Sequence, residues 1–287
     1  QSDIDLEVLI IDDHSTDNSL ALAHRMASRD PRIHVLQTPS NLGPGGARNV
    51  GIKAMRGEWY CMLDCDDALD PDRSRTLIDQ ANAVGADMIA DDLLVFGEQN
   101  HEHRHLGSDP LSPPRLISLD DYFEATQMYG PKPNLGFLKP LIRRKALEKG
   151  RHRYREDLRI GEDDELVIQL LLAGRFYWLT SDALYRYRKH EGSISHRLSV
   201  DHSARMLASE ELVKAAVQDA GCDSRAYQAR YNSIQDAAAF SLAVHAIKER
   251  DWSASLRALA QRPRAVRHFS MPIKSQLGRL GARLGLV

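Results

Sequence analysis

The chain has 287 residues, 43% of them hydrophobic and 27% charged, with a formal net charge of -2 at pH 7. This length predicts one large or two modest domains, and the small net charge argues against a general nucleic-acid binder. The three cysteines form no C-x-x-C pair, so we expect a cytoplasmic protein with reduced thiols and neither a disulfide framework nor a zinc site. No apolar run reaches the roughly 18 residues that a membrane-spanning helix needs.

An apolar run at residues 6–11 predicts a buried strand close to the start of the chain. It ends at Asp12 and Asp13, and a helix is expected to follow with Ser15 or Thr16 as its N-cap. The pattern therefore places two carboxylates at the carboxyl end of a strand.

Glycines are concentrated at residues 41–52, where a second helix is expected to begin. Glycines at a helix N-terminus let a phosphate approach the backbone, and free N–H groups there attract its charge. The spacing matches neither the Walker A motif nor the dinucleotide fingerprint. Arg48, about one turn into this helix, is a candidate diphosphate contact, and a surface salt bridge is the alternative role.

A further apolar run, residues 59–63, ends in Asp64, Asp66 and Asp67. This pattern predicts a site at the carboxyl end of a strand, where ligands bind in open α/β sheets. Three neighbouring carboxylates repel one another, and Mg²⁺ or Mn²⁺ would offset that repulsion while keeping positions for substrate phosphates. The alternative is a solvated acidic turn that caps the next helix.

Strands and helices continue to alternate, with strands predicted at 33–37 and 86–96 and a helix at 71–84. Such alternation with short loops is typical of an α/β protein with a parallel, doubly wound sheet. Residues 97–114 break the pattern. Three alternate histidines there have a spacing that suits a metal, but no carboxylate pattern surrounds them, so we predict a mobile, solvated loop: His101, His103 and His105.

A second acidic cluster, residues 161–165, precedes a helix predicted at 166–173. Its carboxylates match the positive end of the helix dipole, which is a sufficient structural explanation. A carboxylate at a helix N-terminus in a cleft is also well placed as a general base. The runs 176–179 and 183–188 are expected to pair as strands, and they lead to a basic loop, 189–195, suited to closing over phosphates.

From about residue 200 the pattern is helical. The tail after Asp251 contains seven basic residues, no acidic residue and interspersed apolar residues. The basic residues are Arg257, Arg262, Arg264, Arg267, Lys274, Arg279 and Arg283. A basic amphipathic segment suits an anionic membrane surface, and the alternative is a helix that packs on the protein with a solvated basic face.

Taken together, these segments resemble glycosyltransferase family 2, whose members have the nucleotide-diphospho-sugar-binding GT-A fold. The matching motifs lie at residues 8–17, 41–52, 63–72 and 161–163. Residues 187–195 also resemble the bacterial exopolysaccharide members. The resemblance implies a GT-A domain with a mostly parallel, doubly wound sheet at 1–196 and a helical C-terminal region with a basic tail at 197–287.

The resemblance also implies roles at the donor site. Asp13 would contact the nucleotide base, uracil, with Asp12 supporting it, and Arg48 would contact the diphosphate. The metal and donor-diphosphate motif, which would hold Mn²⁺ or Mg²⁺, covers Asp66 and Asp67, ranked first, and Asp64.

Asp163 matches the general base of the family, with Glu162 beside it. The metal would neutralise the departing diphosphate while Asp163 takes the proton of the acceptor hydroxyl, so direct displacement inverts the anomeric configuration. The implied activity is that of a hexosyltransferase that uses a UDP-sugar such as UDP-glucose in exopolysaccharide or surface-glycan synthesis. The implied acceptor is a lipid-linked or free oligosaccharide at the inner leaflet of the membrane, where the basic tail would make a peripheral contact.

The chain departs from the family at its start. Family members begin with a strand, a Pro-x-Tyr-Asn-like turn and a helix, and Gln1 aligns just past that helix. The missing strand would lie inside the sheet, so we expect an open apolar edge and a fragment of a longer gene product.

Three other functions fit part of the pattern. A sugar-nucleotidyltransferase shares the fold class, but no lysine-bearing glycine-rich start is present. A calcium-binding module is disfavoured because an EF-hand loop starting at Asp64 would require a ligand and a glycine at Ala68 and Leu69. A catalytically impaired partner in the same pathway is the third alternative, and hydrolysis of the donor would distinguish it from an active enzyme.

Overall fold

The computed structural model describes residues 1–97, 100–107, 114–149, 151–190 and 199–270. The strands are β1 (Val8–Asp12), β2 (Ile33–Gln37), β3 (Trp59–Cys61), β4 (Ala68–Leu69), β5 (Met88–Ala90), β6 (Leu93–Gly97), β7 (Asn100–Arg104), β8 (Arg115–Leu116), β9 (Leu141–Arg143), β10 (Tyr177–Leu179) and β11 (Tyr185–Arg188). The helices are α1 (Ser19–Ala27), α2 (Gly43–Ala54), α3 (Arg73–Val84), α4 (Leu119–Ala125), α5 (Arg144–Lys149), α6 (Glu162–Leu172), α7 (Val200–Asp219), α8 (Arg225–Lys248) and α9 (Trp252–Gln261). Two 3₁₀ segments cover Leu135–Phe137 and Pro263–Phe269.

The strands form three sheets. β1 and β2 pair in parallel, a second sheet has the order β3-β9-β5-β10-β8, and a third has the order β4-β11-β6-β7. The pairs β5–β10 and β6–β11 are parallel, whereas β9 lies antiparallel between β3 and β5. The predicted α/β architecture is therefore confirmed, and the strand directions are more mixed than the prediction of a mostly parallel sheet.

Residues 86–96 form two strands in different sheets rather than the single predicted strand. The break falls at two buried carboxylates. Asp91 accepts from the guanidinium of Arg73, with Oδ1 2.8 Å from Nη2, and Asp92 accepts from the backbone N–H groups of Leu93 and Leu106. The same break separates β10 from β11. The prediction that these two strands pair with each other is wrong, because β10 pairs with β5 and β11 pairs with β6.

The histidine-containing segment is partly ordered as a strand. Residues 100–104 form β7, which pairs antiparallel with β6, so the prediction of a mobile loop is wrong for this part. Nε2 of His105 lies 2.9 Å from the carbonyl oxygen of Asn134. Alternation of histidine with polar residues is compatible with a strand that has one solvent-facing side. Residues 98–99 and 108–113 lie outside the described part of the chain.

Helix α1 begins later than predicted. Its N-cap is Asn18, not Ser15 or Thr16, and the backbone N–H of Ser15 donates to Oδ2 of Asp12 at 3.3 Å. A hydrogen bond to the end of β1 thus competes with helix formation at this position.

The C-terminal helices share the main hydrophobic core. Tyr227 on α8 is fully buried, its ring centroid lies 5.1 Å from that of Phe123 on α4, and Val213 of α7 belongs to the same cluster. The core therefore extends across the predicted boundary between 1–196 and 197–287, and the division into two regions stays a prediction. Across the described ranges, no helix is both long and apolar enough to cross a membrane.

A cavity of about 800 Å³ lies between the two-stranded sheet and β3. Side chains of Leu9 and Ile11 from one side and Tyr60 and Met62 from the other contribute to its lining. Within the described chain, β1 pairs only with β2 and β3 only with β9. β1 and β3 therefore border a cavity with a mixed apolar and charged lining, and the open apolar edge stays a prediction.

Candidate functional site

The first acidic pair, at the end of β1, organises the start of α2. Oδ1 of Asp13 accepts from the backbone N–H of Leu42 at 2.8 Å, and its Oδ2 accepts from that of Gly43 at 2.7 Å. Asp12 is buried and accepts from Nε2 of Gln37 at 3.2 Å. Asp13 therefore satisfies two otherwise unpaired donors of a helix N-terminus. Its contact with a nucleotide base stays a prediction.

The glycines at this helix start let parts of the chain approach one another closely. Gly43 adopts a positive φ of 79°, and a Cβ at Gly45 would lie 2.5 Å from the carbonyl oxygen of Arg155. Since the N–H groups of Leu42 and Gly43 are already bonded to Asp13, they are not free to bind phosphate. The prediction that free N–H groups at this helix start attract a phosphate is therefore wrong for Leu42 and Gly43.

Arg48 on α2 joins the two acidic clusters. Its Nη2 lies 2.9 Å from Oδ1 of Asp64, and its Nη1 lies 2.5 Å from Oε1 of Glu162 and 2.9 Å from Oδ1 of Asp163. The guanidinium also lies over the ring of Tyr154, 5.4 Å from the centroid. Arg48 is thus a partly buried bridge within the site rather than a surface salt bridge.

Lys139 makes a second bridge between the same clusters. Its Nζ lies 2.9 Å from Oδ2 of Asp163 and 3.1 Å from Oδ2 of Asp64, and the side chain is 7% exposed. A lysine this deeply buried requires charged partners, and here it has two. Two cations and three carboxylates therefore meet in one place, with Glu162 as the third acid.

The charges within this cluster shift the pKa values of its members in opposite directions. Burial favours neutral Asp64, but the charges of Lys139 and Arg48 outweigh burial and lower its pKa. The pKa of Glu162 is raised by burial and by the neighbouring charge of Asp163, against the effect of Arg48. Burial disfavours the charged form of Lys139, but Asp163 and Asp64 raise its pKa overall. The cluster therefore favours ionised Asp64 and charged Lys139.

Helix α6 holds Glu162 and Asp163 at its first turn. It begins after Gly161, whose φ of 85° is a left-handed conformation that glycine adopts easily. The next residue, Asp164, points away from the cations described above and accepts from the hydroxyl of Tyr122 at 2.8 Å and from Nη1 of Arg230 at 3.4 Å. Contacts to α4 and α8 thus fix the helix that carries the candidate base.

Asp67 is held by the end of β11. Its Oδ2 accepts from the hydroxyl of Tyr185 at 2.8 Å, and its Oδ1 accepts from the backbone N–H of Arg188 at 2.7 Å. Burial raises the pKa of Asp67 despite these hydrogen bonds. Asp67 therefore orients the loop between β3 and β4 and has both carboxylate oxygens engaged.

Asp66 is more accessible than Asp64. The side chain of Asp66 is 41% exposed, and that of Asp64 is 28% exposed. Oδ2 of Asp66 lies 3.0 Å from Nε2 of His190, in the predicted phosphate-closing loop, of which residues 191–195 lie outside the described part of the chain. Asp66 thus faces the open side of the site.

The acidic motif at residues 64–67 offers few accessible carboxylate oxygens for the predicted metal. The described residues contain no group of three or more His, Cys, Asp or Glu side chains arranged around one metal position. Both oxygens of Asp64 and of Asp67 already have partners, which leaves Asp66 as the accessible carboxylate. Mg²⁺ is often held by one or two carboxylates plus the phosphates of a substrate. Asp66 is the candidate for such a carboxylate, although its Oδ2 contacts His190, and metal binding at this motif stays a prediction.

The sequence did not reveal Lys139 or Tyr185 as members of the site. Lys139 lies in an apolar segment, between Leu138 and Pro140, and a lysine in such surroundings signals a buried partner. Tyr185 lies on β11 and its phenol reaches Asp67, a contact that depends on which sheet the strand joins. Of these two residues, only Lys139 could have been found from the sequence, by its position in an apolar segment.

The geometry brings an acidic strand end, at Asp64, together with an acidic helix start, at Glu162 and Asp163, across the two cations Arg48 and Lys139. The family model for Glycosyl transferase family 2 matches residues 1–150, more than half of the chain. The chain belongs to glycosyltransferase family 2, as its motifs predict.

Two curated relatives share substantial sequence with the chain. It is 35% identical over 283 residues to the succinoglycan biosynthesis protein ExoO of Rhizobium meliloti (strain 1021), and the match covers 99% of this chain and 81% of that protein. It is also 35% identical over 196 residues to the succinoglycan biosynthesis protein ExoU of the same organism, covering 67% of this chain and 56% of that protein.

A solved structure confirms the GT-A fold. Residues 1–349 of S. aureus TarS, in complex with UDP-GlcNAc, align with a TM-score of 0.61 over 90% of this chain and 82% of that one. The identity is 17%, so this likeness establishes the fold and not the substrate.

Proposed function

We propose that the chain is an inverting hexosyltransferase that moves a sugar from a UDP-sugar to a saccharide acceptor in bacterial exopolysaccharide synthesis. The observation that carries the proposal is the meeting of Asp64 and Asp163 on the same two cations, Arg48 and Lys139. In the proposed transfer, carboxylates on one side of the sugar hold the metal that neutralises the leaving diphosphate. A carboxylate on the other side takes the proton of the incoming hydroxyl. The two clusters are adjacent, as this chemistry demands.

The donor site would use Asp66 and Arg48. Asp66 is exposed to solvent, and Mn²⁺ or Mg²⁺ bound there would neutralise charge on the leaving diphosphate. Arg48 would exchange one carboxylate for a diphosphate oxygen when the donor binds, because a guanidinium suits bidentate contacts with either group. The UDP-GlcNAc complex of TarS supports a UDP-sugar donor, for which UDP-glucose is one candidate, and the role of ExoO in succinoglycan biosynthesis supports the proposed type of pathway.

The acceptor side would use Asp163 as the general base. The carboxylate takes the proton of the acceptor hydroxyl as that oxygen bonds to the anomeric carbon. The bond from this carbon to the diphosphate oxygen breaks, UDP leaves with the electron pair, and the configuration inverts. Asp163 is ion-paired with Arg48 and Lys139, and release of one of these pairs on donor binding would raise its basicity for proton transfer.

The proposed acceptor class rests on the resemblance to exopolysaccharide enzymes and on the basic residues of the C-terminal tail. A lipid-linked oligosaccharide at the inner membrane face suits a cytoplasmic enzyme in this type of pathway. A peripheral membrane contact through the C-terminal region would bring the protein to such an acceptor.

The experiment is a panel of UDP-sugars, with UDP release measured in the presence of Mn²⁺ and with oligosaccharide acceptors. We expect turnover with one or a few donors and a loss of roughly 10²- to 10⁴-fold in Asp163→Asn. The matched control is Asp157→Asn, which changes an exposed carboxylate paired with Arg155 and should keep full activity. If the folded chain turns over no donor, the proposed reaction is wrong.

A second candidate is a catalytically impaired partner in the same pathway. It is favoured by the ion-paired state of Asp163, in which the base is occupied by two cations. Metal-dependent UDP binding without turnover of any UDP-sugar would support this second function over the first.

A further inference from the structure

Helix α9 has an unusual distribution of side chains. Its buried residues are the small Ser255 and Ala258, whereas the large apolar residues Trp252 and Leu256 are 62% and 69% exposed. Positions i and i+4 lie on the same side of a helix, so these two side chains form one apolar surface. A helix that packs on a core normally buries its large apolar residues, so this face has no partner within the described chain.

Basic residues follow this apolar pair closely along the chain. Arg257 on α9 and Arg264 and Arg267 in the following 3₁₀ segment are exposed, and Val266 is 53% exposed. Nη2 of Arg267 also lies 3.6 Å from Oδ2 of the buried Asp236. Residues 252–270 contain no acidic residue. Trp252, Leu256, Val266 and these three arginines are called the α9 surface below.

Hydrogen bonds and buried side chains hold α9 and the following 3₁₀ segment against the rest of the protein. Asp251 caps α9, with Oδ1 2.9 Å from the backbone N–H of Ala254. Arg262 donates from Nε to Oδ1 of buried Asp236 on α8 at 2.9 Å, and Ala265 and His268 are buried. The exposed residues are therefore presented by an ordered base rather than by a frayed helix end.

We propose that the α9 surface docks the protein on an anionic lipid bilayer. Tryptophan and leucine enter the boundary between headgroups and acyl chains, while arginines contact anionic headgroups. Exposed Glu249 and Asp251 precede the α9 surface, but residues 252–270 contain four arginines and no acidic residue. This excess of positive charge favours a bilayer as the occupant, since a second copy of this chain would bring the same positive charge against itself. This inference specifies the membrane contact of the proposed function and rests on it.

The experiment is sedimentation of the full chain with vesicles of phosphatidylglycerol and phosphatidylcholine, compared with vesicles of phosphatidylcholine alone. We expect binding to the anionic vesicles that weakens as salt rises, because exposed charges are screened. Each arginine should contribute about fivefold to the partition coefficient at low salt. Trp252 fluorescence should shift to the blue on binding, as the indole leaves water.

Three variants locate the contact. Trp252→Ser/Leu256→Ser and Arg257→Gln/Arg264→Gln should each lower binding at least tenfold. The matched control is Leu22→Ser on α1, because Leu22 is also exposed, at 51%, and should keep wild-type binding. None of these residues contacts the candidate donor site, so titration of UDP on the same samples tests the proposed function separately.

Three results would overturn the inference. The first is a folded wild-type chain that does not bind anionic vesicles. The second is binding that both double variants retain, which would place the contact elsewhere, for instance in residues 271–287. The third is self-association that the double variants abolish while vesicles remain unbound, because the occupant would then be a second copy of the chain.

Discussion

Lys139 donates to Asp163, with Nζ 2.9 Å from Oδ2, so the candidate base is held by an ammonium group from outside both acidic motifs. The same ammonium lies 3.1 Å from Asp64 in the other cluster. Together with Arg48, this side chain therefore sets the distance between the donor side and the acceptor side of the site. Lys139 is therefore a positioning residue whose role can be separated from donor binding.

Lys139→Met should lower kcat at least tenfold and change the Kd for UDP much less, because the base loses its orientation while Asp66 remains in place. The variant should also lose about 2 kcal/mol of unfolding free energy, since two carboxylates lose a buried partner. Kinetics, UDP titration and urea unfolding measure the three quantities. Lys132→Met is the control, because Lys132 is 56% exposed and its ion pair should contribute below about 1 kcal/mol. An unchanged kcat would contradict the positioning role.

Tyr185→Phe should weaken metal-dependent UDP binding about fivefold, which corresponds to the loss of roughly one hydrogen bond. The phenol donates to Oδ2 of Asp67 and thereby orients the loop that carries Asp66. Titration of UDP with Mn²⁺ measures this effect. Tyr129→Phe is a suitable control because Tyr129 is 43% exposed. Equal UDP affinity in Tyr185→Phe and the wild type would show that the loop keeps its conformation without this contact.

Arg73→Met should destabilise the protein by about 3–5 kcal/mol because it leaves the carboxylate of Asp91 buried without its cation. Both side chains are fully buried, and Arg73 also donates to the carbonyl oxygen of Lys139 at 2.6 Å. Arg73→Met/Asp91→Leu should recover part of this loss, since the unpaired charge is removed. Urea unfolding of the two variants tests the comparison. A double variant that is no more stable than the single one would argue against an electrostatic origin.

Glu210→Gln should change how stability depends on pH. Burial, more than the opposing charge of Arg230, raises the pKa of Glu210 above its usual value of 4.5. The folded protein then binds this proton more tightly than the unfolded chain, so the contribution of Glu210 to stability is present below pH 4.5 and is lost as pH rises through the raised pKa.

Relative to the wild type, Glu210→Gln should therefore become more stable as pH rises from 4.5 to 8. Urea unfolding across this range measures the difference. Glu211→Gln, which changes a side chain that is 55% exposed, should show no such trend. A difference between Glu210→Gln and the wild type that stays constant with pH would contradict the raised pKa.

The positions of the acidic clusters could be predicted because they follow local rules. Apolar runs that end in Asp12 and Asp64 indicate strand ends, and Gly161 followed by acidic residues indicates a helix start. The described fold has β1, β3 and α6 near these places.

The ion pairs of the site could not be predicted in the same way. Whether Arg48 reaches Asp64 or solvent depends on how α2 packs, and whether Lys139 is buried depends on the pairing of β9. The break between β5 and β6 was missed because Asp91 reads as a polar interruption of a strand until its buried partner Arg73 is known. Such pairs are formed by tertiary packing, which local sequence patterns do not contain.

The most direct test of the donor site is calorimetric titration of UDP into the wild-type chain and into Asp66→Ala/Asp67→Ala, each with and without Mn²⁺. The account predicts Mn²⁺-dependent binding to the wild type that the variant loses while remaining folded by circular dichroism. Binding that is independent of Mn²⁺ and equal in both proteins, or no binding to the folded wild type, would contradict it.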